Sequence, residues 1–169
     1  EDFFSIKKNI LLKSLDKNKI MLAICGGYQL LCDYYKSADG KIMKGISIFR
    51  GYTESGAPRF TGNIAVKSGY NILIGFENHG GRTYLDHNQD FMGTVLKGYG
   101  NNGNDKTEGA RTGNFFGTFM HGSFLPKNYF FCDYLIDLAL QNKYGVNLQE
   151  VMEINGIKAD AIDNNFELK

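Results

Sequence analysis

Apolar and polar positions follow two different rhythms around the first cysteine of the chain. Upstream of it, apolar residues recur at the spacing of one helical face: Phe3, Ile6, Ile10, Leu11 and Leu15. This spacing predicts an amphipathic helix that ends near residues 16–18. The run 20–24 is then continuously apolar, as expected for a parallel strand buried on both faces. A helix followed by a buried strand is half of a parallel unit, so the pattern predicts an α/β fold with a further strand before residue 1.

The later pattern predicts the remaining elements of a single domain, residues 1–169. We expect helices over 28–35 and 129–144, strands over 63–67, 71–76, 91–96 and 114–120, a loop over 53–60, and a tail of short helix and loop over 146–169. Ser68-Gly69 joins two of these strands as a hairpin signal. Residues 77–83 break the pattern with polar groups and paired glycines, which is typical of a binding edge. The Gly- and Asn-rich segment 99–113 predicts a mobile loop.

Composition and charge narrow the classes of partner. The chain has 169 residues, a net charge of +1 and three cysteines, Cys25, Cys32 and Cys132. Such a charge gives no indication of nucleic acid or an anionic membrane as a partner. The cysteines lack CxxC spacing, which favours a reducing compartment over a disulfide framework or a metal site. No apolar stretch reaches the roughly 18 residues of a membrane span, and no signal peptide is visible, so we expect a cytoplasmic protein.

Cys25 is the leading candidate for a nucleophile. Gly26 and Gly27 follow it directly and permit the sharp strand-to-helix turn that lifts a nucleophile clear of a sheet. The free N–H groups at the start of a helix favour a thiolate and can hold an oxyanion. The alternative is a buried, inert cysteine, since free cysteine is among the most buried residue types. This stretch alone leaves both interpretations open.

A cysteine nucleophile needs an acid–base partner, and histidine is the usual one. His121 follows an alternating strand, which would place it along the same sheet edge as Cys25; the alternative is a histidine held by backbone in a loop. His79, within the polar stretch 77–83, is a candidate for contact with a ligand rather than for the base. His87 is expected to be a solvated surface residue.

Three ordered segments carry a resemblance to a known family. Residues 23–31 (AICGGYQLL) resemble the nucleophile motif of the class I glutamine amidotransferases. Residues 76–85 (FENHGGRTYL), and residues 117–122 (GTFMHG) with 125–128 (LPKN), are similar to the cobyric-acid-synthase-like branch. Within that branch they look most like the glutaminase subunits of lipid II isoglutaminyl synthases. The resemblance covers residues 19–144 and implies a three-layer α/β sandwich with a mainly parallel, flavodoxin-like sheet.

The resemblance also implies a reaction and roles for particular residues. The Cys25 thiolate would attack the side-chain amide of L-glutamine, the Gly26 N–H would stabilise the oxyanion, and His121 would protonate ammonia and then activate water. Arg59 stands where the family has an arginine that helps bind glutamine. Further residues expected to face the substrate are Gln29, Asn78 and His79.

The family implies a heterodimer in which this chain holds no cofactor. Ammonia would pass to a Mur-ligase-like subunit, which uses ATP to activate the α-carboxylate of D-glutamate in the lipid II stem peptide. The chain has no GxxxxGK[ST] sequence for ATP chemistry of its own. A glutamine amidotransferase domain for cobyric-acid-type cobalamin synthesis is a variant of this interpretation.

Two departures from the family pattern keep other interpretations open. Many class I amidotransferases carry a glutamate two residues after the catalytic histidine, whereas Ser123 stands there in this chain; the cobyric-acid-synthase-like branch is known to lack that glutamate. The strands and glycine-rich loop that the family places before the first helix do not precede residue 1, so we expect a segment of a longer polypeptide. A catalytically inactive assembly subunit and a PfpI-type cysteine hydrolase remain as alternatives.

Overall fold

The structure, a computed structural model, describes residues 7–69 and 71–154. The helices are α1 (Lys8–Asp16), α2 (Gly26–Leu31), α3 (Phe124–Lys127), α4 (Tyr129–Tyr144) and α5 (Leu148–Ile154). The strands are β1 (Met21–Ile24), β2 (Tyr34–Lys36), β3 (Ile42–Lys44), β4 (Gly51–Ser68), β5 (Asn71–Leu85), β6 (Gly93–Lys97), β7 (Thr107–Glu108), β8 (Ala110–Thr112), β9 (Phe115–Thr118) and β10 (Met120–His121). The predicted helical positions Phe3 and Ile6, and the end of the predicted tail, lie outside these residues.

The parallel pair β1 and β9 lies between two apolar clusters. Successive side chains of a strand point to opposite faces, and Phe115 and Phe116 accordingly belong to different clusters. Ala23 and Phe115 pack with α1 and α2 on one face. Leu22 and Phe116 pack with α3 and α4 on the other. Helices on both faces of a strand pair give the predicted three layers, and the α/β class is confirmed.

Most of the described strands pair antiparallel, unlike the mainly parallel sheet that we expected. The parallel pairs are β1 with β9 and β2 with β4. The β4–β5 hairpin is longer than the sequence pattern predicts, and further antiparallel pairs extend it through β10 and β6. The strands form a three-stranded sheet (β1, β9 and β8) and a seven-stranded sheet (β10, β5, β4, β2, β3, β6 and β7). The difference arises because the β4–β5 hairpin supplies most of the residues of the seven-stranded sheet.

The predicted loop over 53–60 and the predicted break over 77–83 are both wrong. These segments are the halves of β4 and β5 that lie farther from the closing pair Ser68 and Asn71, here called the outer halves, and they pair with each other. The register shifts between Ser55 and Phe60, next to Pro58, where a residue without a backbone N–H is tolerated. Thr53 and Thr83 are both buried, and their hydroxyl oxygens lie 2.7 Å apart. Cross-strand pairing therefore holds polar, Gly-rich sequences that look irregular locally.

The Gly- and Asn-rich segment 99–113 is not the loop that its composition predicts. It contains β7 and β8, and the side chains of Asn101 and Asn102 are buried. Asn101 accepts hydrogen bonds from Tyr28 Oη at 3.1 Å and from the Gly109 N–H at 3.0 Å. It also donates to the Gly109 carbonyl at 3.0 Å. Amide side chains thus add to the short backbone ladders of β7 and β8 in fixing this segment.

The helices largely follow the sequence prediction. Helix α4 has the predicted bounds and ends at Gly145, whose φ of 72° is the left-handed geometry of a glycine cap. Helix α1 ends at Asp16 as expected. Helix α2 stops at Leu31 rather than continuing to residue 35, because residues 34–36 form strand β2 between β3 and β4. The prediction of β6 was displaced by one to two residues.

Candidate active site

Cys25 lies on the sharp turn between β1 and α2 that the sequence predicts. Its φ of 54° and ψ of −109° fall outside the ordinary helical and extended regions. Strained non-glycine backbone of this kind costs about 1–3 kcal/mol and clusters at active sites. The Cys25 N–H donates to the Thr118 carbonyl at 2.8 Å, and its own carbonyl accepts the Gln29 N–H at 3.0 Å. The turn is therefore fixed on both sides. Cys25 itself is half-buried, and its thiol is not part of a disulfide bond.

The space next to Cys25 is open. A Cβ atom built on Gly26 would meet nothing within 4 Å, and Gly26 begins α2. The first N–H groups of a helix have no partner within the helix. The site can therefore offer a backbone donor beside the thiol.

His121 ends β10 just beyond the carboxyl end of β9. Ile24 pairs with Thr118 in the parallel register, so Cys25 and His121 both follow this pair of strands at the same edge. Within residues 7–69 and 71–154, the buried Nδ1 atom of His121 has no hydrogen-bond partner. Gly122 and Ser123 follow with φ of 60° and 52°, which turns the chain away directly after the imidazole.

Arg59 and Asn78 bind each other at the outer part of the β4–β5 hairpin. Arg59 Nε donates to Asn78 Oδ1 at 2.5 Å, and Arg59 Nη2 donates to the Asn78 carbonyl at 2.7 Å. Both side chains are exposed. Arg59 lies in the segment of irregular register, so its direction is set mainly by Asn78. A guanidinium held in this way can bind a carboxylate through its remaining N–H groups.

Gln29 contacts β5 from the inner face of the sheet. A Cβ atom on Gly81 would lie 2.2 Å from Gln29 Nε2, whereas one on Gly80 would lie 3.6 Å from Arg59 Nη1. Neighbouring residues of a strand face opposite ways, so Gln29 and Arg59 flank β5 on its two faces. The two substrate-contact candidates thus belong to different sides of this strand.

His79 does not occupy the surface that a ligand contact requires. It is 1% exposed, and its ring stacks on Phe119 with a centroid distance of 3.8 Å. His79 Nδ1 lies 2.8 Å from the Gly81 carbonyl, so this nitrogen carries the hydrogen. Nε2 lies 3.7 Å from Glu77 Oε2. The histidine that we expected among the substrate contacts is a core residue next to the site.

Two buried carboxyl groups were missed by sequence analysis. Glu77 accepts the Tyr99 N–H at 2.8 Å and the Gly100 N–H at 3.1 Å. Glu108 is fully buried, and burial raises the pKa of its carboxyl, while a hydrogen bond from Thr118 opposes the rise. Both lie in stretches that local composition marks as irregular, so only their long-range contacts could reveal them.

The other cysteines differ from Cys25. Cys32 is buried, and burial raises the pKa of its thiol to about 12. Its Sγ lies 3.5 Å from the Tyr28 carbonyl. Cys132 is half-buried on α4. In the part of the chain that the structure describes, no group of three or more His, Cys, Asp or Glu could hold a metal ion. No helix there is long and apolar enough to cross a bilayer.

Comparison with known proteins gives a consistent set of similarities. The CobB/CobQ-like glutamine amidotransferase domain matches residues 5–129. The chain is 44% identical over 137 residues to the glutamine-hydrolysing subunit GatD of lipid II isoglutaminyl synthase from Staphylococcus aureus, covering 80% of this chain and 56% of that subunit. It is 37% identical over 151 residues to the GatD subunit from Streptococcus pneumoniae, covering 88% of this chain and 58% of that one. The chain therefore spans little more than half the length of these relatives.

More distant similarities agree with the family and the fold. Identity to the cobyric acid synthase of Ruminiclostridium cellulolyticum is 32% over 126 residues, which covers 66% of this chain and 24% of that protein. Among solved structures, PurLQS from Thermotoga maritima superposes with a TM-score of 0.51 at 16% identity, covering 68% of this chain and 56% of that chain. At this identity the structural likeness concerns the fold alone.

Proposed function

Because the chain belongs to the CobB/CobQ-like glutamine amidotransferase domain family, we propose that it hydrolyses L-glutamine as a subunit of a lipid II isoglutaminyl synthase. The observation that supports this proposal is that Cys25 directly follows β1 and His121 lies three residues after Thr118, the partner of Ile24 at the same edge of the β1–β9 pair. Strained geometry at Cys25 and open space beside Gly26 support the role of nucleophile. Greater identity to two GatD subunits than to cobyric acid synthases favours this member of the family.

The proposed reaction proceeds in two chemical steps. The Cys25 thiolate attacks the side-chain amide carbon of glutamine, and the Gly26 N–H stabilises the oxyanion of the tetrahedral intermediate. The carbon–nitrogen bond then breaks as protonated His121 gives its proton to the departing ammonia, which leaves a thioester on Cys25. His121 next takes a proton from water, the hydroxyl attacks the thioester, and glutamate leaves as the Cys25 thiol re-forms.

Recognition of glutamine is assigned to Arg59 in the outer part of the hairpin. Arg59, held by Asn78, provides positive charge for a carboxylate of the substrate. Gln29 lies in the helix that follows Cys25 but on the face of β5 opposite Arg59, so it is not assigned to the same contact. Such contacts bind substrate and transition state alike, so their loss is expected to raise KM more than it lowers kcat.

The acceptor of the ammonia is proposed from the relatives. Two similar proteins are glutamine-hydrolysing subunits of a lipid II isoglutaminyl synthase, and a subunit implies a partner. We infer a Mur-ligase-like partner that binds ATP and activates D-glutamate in the lipid II stem peptide on the cytoplasmic side. Ammonia released at Cys25 would then form the amide of D-isoglutamine.

Glutamate release from L-glutamine is the direct test. The full-length protein is assayed with and without its Mur-ligase-like partner, beside Cys25→Ala and His121→Ala. Both substitutions are expected to abolish hydrolysis, whereas Cys132→Ala, a half-buried free cysteine on α4, serves as the control with wild-type activity. If the partner binds but no condition releases glutamate, the chain is an assembly subunit and the proposal fails.

A further inference from the structure

Glu108 binds the short segment that joins β9 to β10. One oxygen of its carboxyl, Oε1, accepts the Thr118 hydroxyl at 2.6 Å and the Phe119 N–H at 2.8 Å. Glu108 is 0% exposed, so these bonds are shielded from water. Removing such a carboxyl leaves both donors unsatisfied inside the protein, which is more disruptive than the loss of an exposed hydrogen bond.

Thr118 connects the carboxyl to both candidate catalytic residues. Its hydroxyl donates to Glu108 and accepts the Met120 N–H at 3.0 Å, and Met120 directly precedes His121. Its carbonyl accepts the Cys25 N–H at 2.8 Å. A change in the position of Thr118 would therefore reach the nucleophile through one bond and the histidine through another.

Phe119 is the second attachment of this segment. Its ring stacks on His79 at 3.8 Å and meets the edge of Tyr28 at 5.1 Å. All three side chains are buried. Glu108 binds the Phe119 N–H and His79 packs against the Phe119 ring. Both the backbone and the side chain of this segment are therefore held in place. Rigid support of this kind is what a catalytic group needs, because misplacement by about 1 Å can lower a rate about 100-fold.

The placement of Glu108 is unfavourable for stability alone. A fully buried carboxyl loses its hydration, and within the described residues its Oε2 atom has no hydrogen-bond partner. His79 Nε2 is also without one there, although His79 is close enough to lower the pKa of the Glu108 carboxyl. An apolar side chain of similar size would avoid the desolvation cost, although the Thr118 hydroxyl and the Phe119 N–H would then lose their acceptor. The carboxyl is thus a costly acceptor whose benefit is the order of the segment next to Cys25 and His121.

We propose, on the premise of the glutaminase function above, that Glu108 is a positioning residue that holds His121 in register with Cys25 through Thr118 and Phe119. It touches neither glutamine nor the reacting atoms. Its effect is confined to the geometry of the segment 118–121, so it supports the steps in which His121 moves a proton.

Two substitutions of Glu108 separate this role from general stability. In the full-length protein with its partner, Glu108→Leu removes the acceptor, whereas Glu108→Gln keeps a carbonyl oxygen for Thr118 and Phe119. We expect Glu108→Leu to lower kcat about 100-fold with KM changed less than about 3-fold, and Glu108→Gln to keep kcat within about 5-fold of wild type. Glu153→Leu, on the exposed surface of α5, is the matched control. Equal kcat in all three variants would overturn the proposal.

A second pair of variants covers the case in which Glu108→Leu does not fold. Thr118→Val removes the hydroxyl that links Glu108 to Met120, and Thr118→Ser retains it. We expect kcat to fall about 30-fold in Thr118→Val and less than about 3-fold in Thr118→Ser. A loss of the same size in both variants would contradict a role for the hydroxyl link.

Ring nitrogen resonances of His121 give a readout that does not depend on activity. They are assigned by comparison with His121→Gln in ¹⁵N-labelled protein. Displaced or broadened His121 signals in Glu108→Leu, with wild-type signals in Glu108→Gln, support the proposal, and unchanged signals in both overturn it. Should the wild type release no glutamate, the proposed function fails, and the His121 signals alone then decide whether Glu108 holds this ring.

Discussion

Cys25 and Arg59 are held in very different ways. The region around Cys25 and His121, here the elbow region, is fixed by backbone hydrogen bonds to Thr118 and by the buried carboxyl of Glu108. The outer halves of β4 and β5, here the hairpin end, are fixed by side chains near the surface, chiefly the exposed pair Arg59 and Asn78. The groups proposed to transfer protons thus depend on the core, whereas the groups proposed to bind substrate can change without disturbing it.

Arg82 supports the hairpin end at the margin of the core, where the Phe60 ring meets the edge of His79 at 5.7 Å. Its guanidinium carbon lies 3.2 Å from the centre of the Phe60 ring, and it donates to the Pro58 carbonyl next to Arg59. Tyr99 stacks on Phe60 at 4.1 Å. A cation on an aromatic face contributes roughly 0.5–2 kcal/mol, so this support is weaker than a fully buried cluster. The difference predicts unequal responses to substitution in the two regions.

The largest contrast is expected between two phenylalanines. Phe119→Ala removes a fully buried ring next to Tyr28 and His79 and should lower the free energy of unfolding by about 3–5 kcal/mol. Phe60→Ala removes a half-buried ring, and we expect a loss of about 1–2 kcal/mol. Urea denaturation measures both, with Phe119→Leu as the milder control. An equal or larger loss for Phe60→Ala would remove the distinction between the regions.

Glycines on the two faces of β5 provide the next test. Gly81→Ala would bring a Cβ atom 2.2 Å from Gln29 Nε2 and 2.8 Å from the Thr53 methyl group. Crowding of this kind typically costs about 1–3 kcal/mol. Gly80→Ala faces Arg59 at an ordinary 3.6 Å and should change stability by less than about 0.5 kcal/mol.

A double-mutant cycle identifies the source of the Gly81 effect. When Gln29→Ala is combined with Gly81→Ala, part of the lost free energy of unfolding should return, because the nearest clashing group is gone. Thr53 remains close, so recovery should be incomplete. Strict additivity of the two substitutions in urea denaturation would show that Gln29 is not the contact that resists the new methyl group.

Asn78→Ala tests the hairpin end without changing its charge. Loss of the side-chain oxygen leaves Arg59 bound only to the backbone carbonyl of residue 78 and so less firmly oriented, and we expect KM for glutamine to rise about 5-fold while kcat changes less than about 2-fold. The matched control is Thr61→Val, because Thr61 makes only a long contact of 3.4 Å with Asn78. A fall in kcat with unchanged KM would assign Asn78 to the elbow region instead.

The two regions also differed in how far the sequence revealed them. The turn at Cys25 and helix α4 could be predicted because each is a local pattern, an apolar run before paired glycines and a regular apolar stripe. The outer halves of β4 and β5 could not, since contacts such as Thr53 with Thr83 join residues far apart in sequence. Burial of His79 and Glu108 was missed for the same reason. Local composition describes a polar segment as irregular when only its distant partners make it ordered.

The pH dependence of stability is the most subtle consequence of the buried carboxyl. Burial raises the pKa of Glu108 above its ordinary value, so the folded state keeps this proton at a pH where the unfolded chain, with a pKa of about 4.3, has released it. Stability is therefore expected to fall as pH rises from the unfolded pKa toward the higher folded pKa. Glu77, His79 and Tyr28 interact with the same carboxyl and contribute to the total.

Comparison with Glu108→Gln isolates the contribution of this one group. The free energy of unfolding is measured by urea denaturation at several pH values above 4. Relative to the glutamine variant, the wild type should lose stability with rising pH, by no more than about 1.4 kcal/mol per pH unit for one proton. If the wild type instead gained stability relative to Glu108→Gln as pH rose, Glu108 would be better accommodated as a carboxylate in the folded state, and hydrogen bonding would outweigh burial at this site.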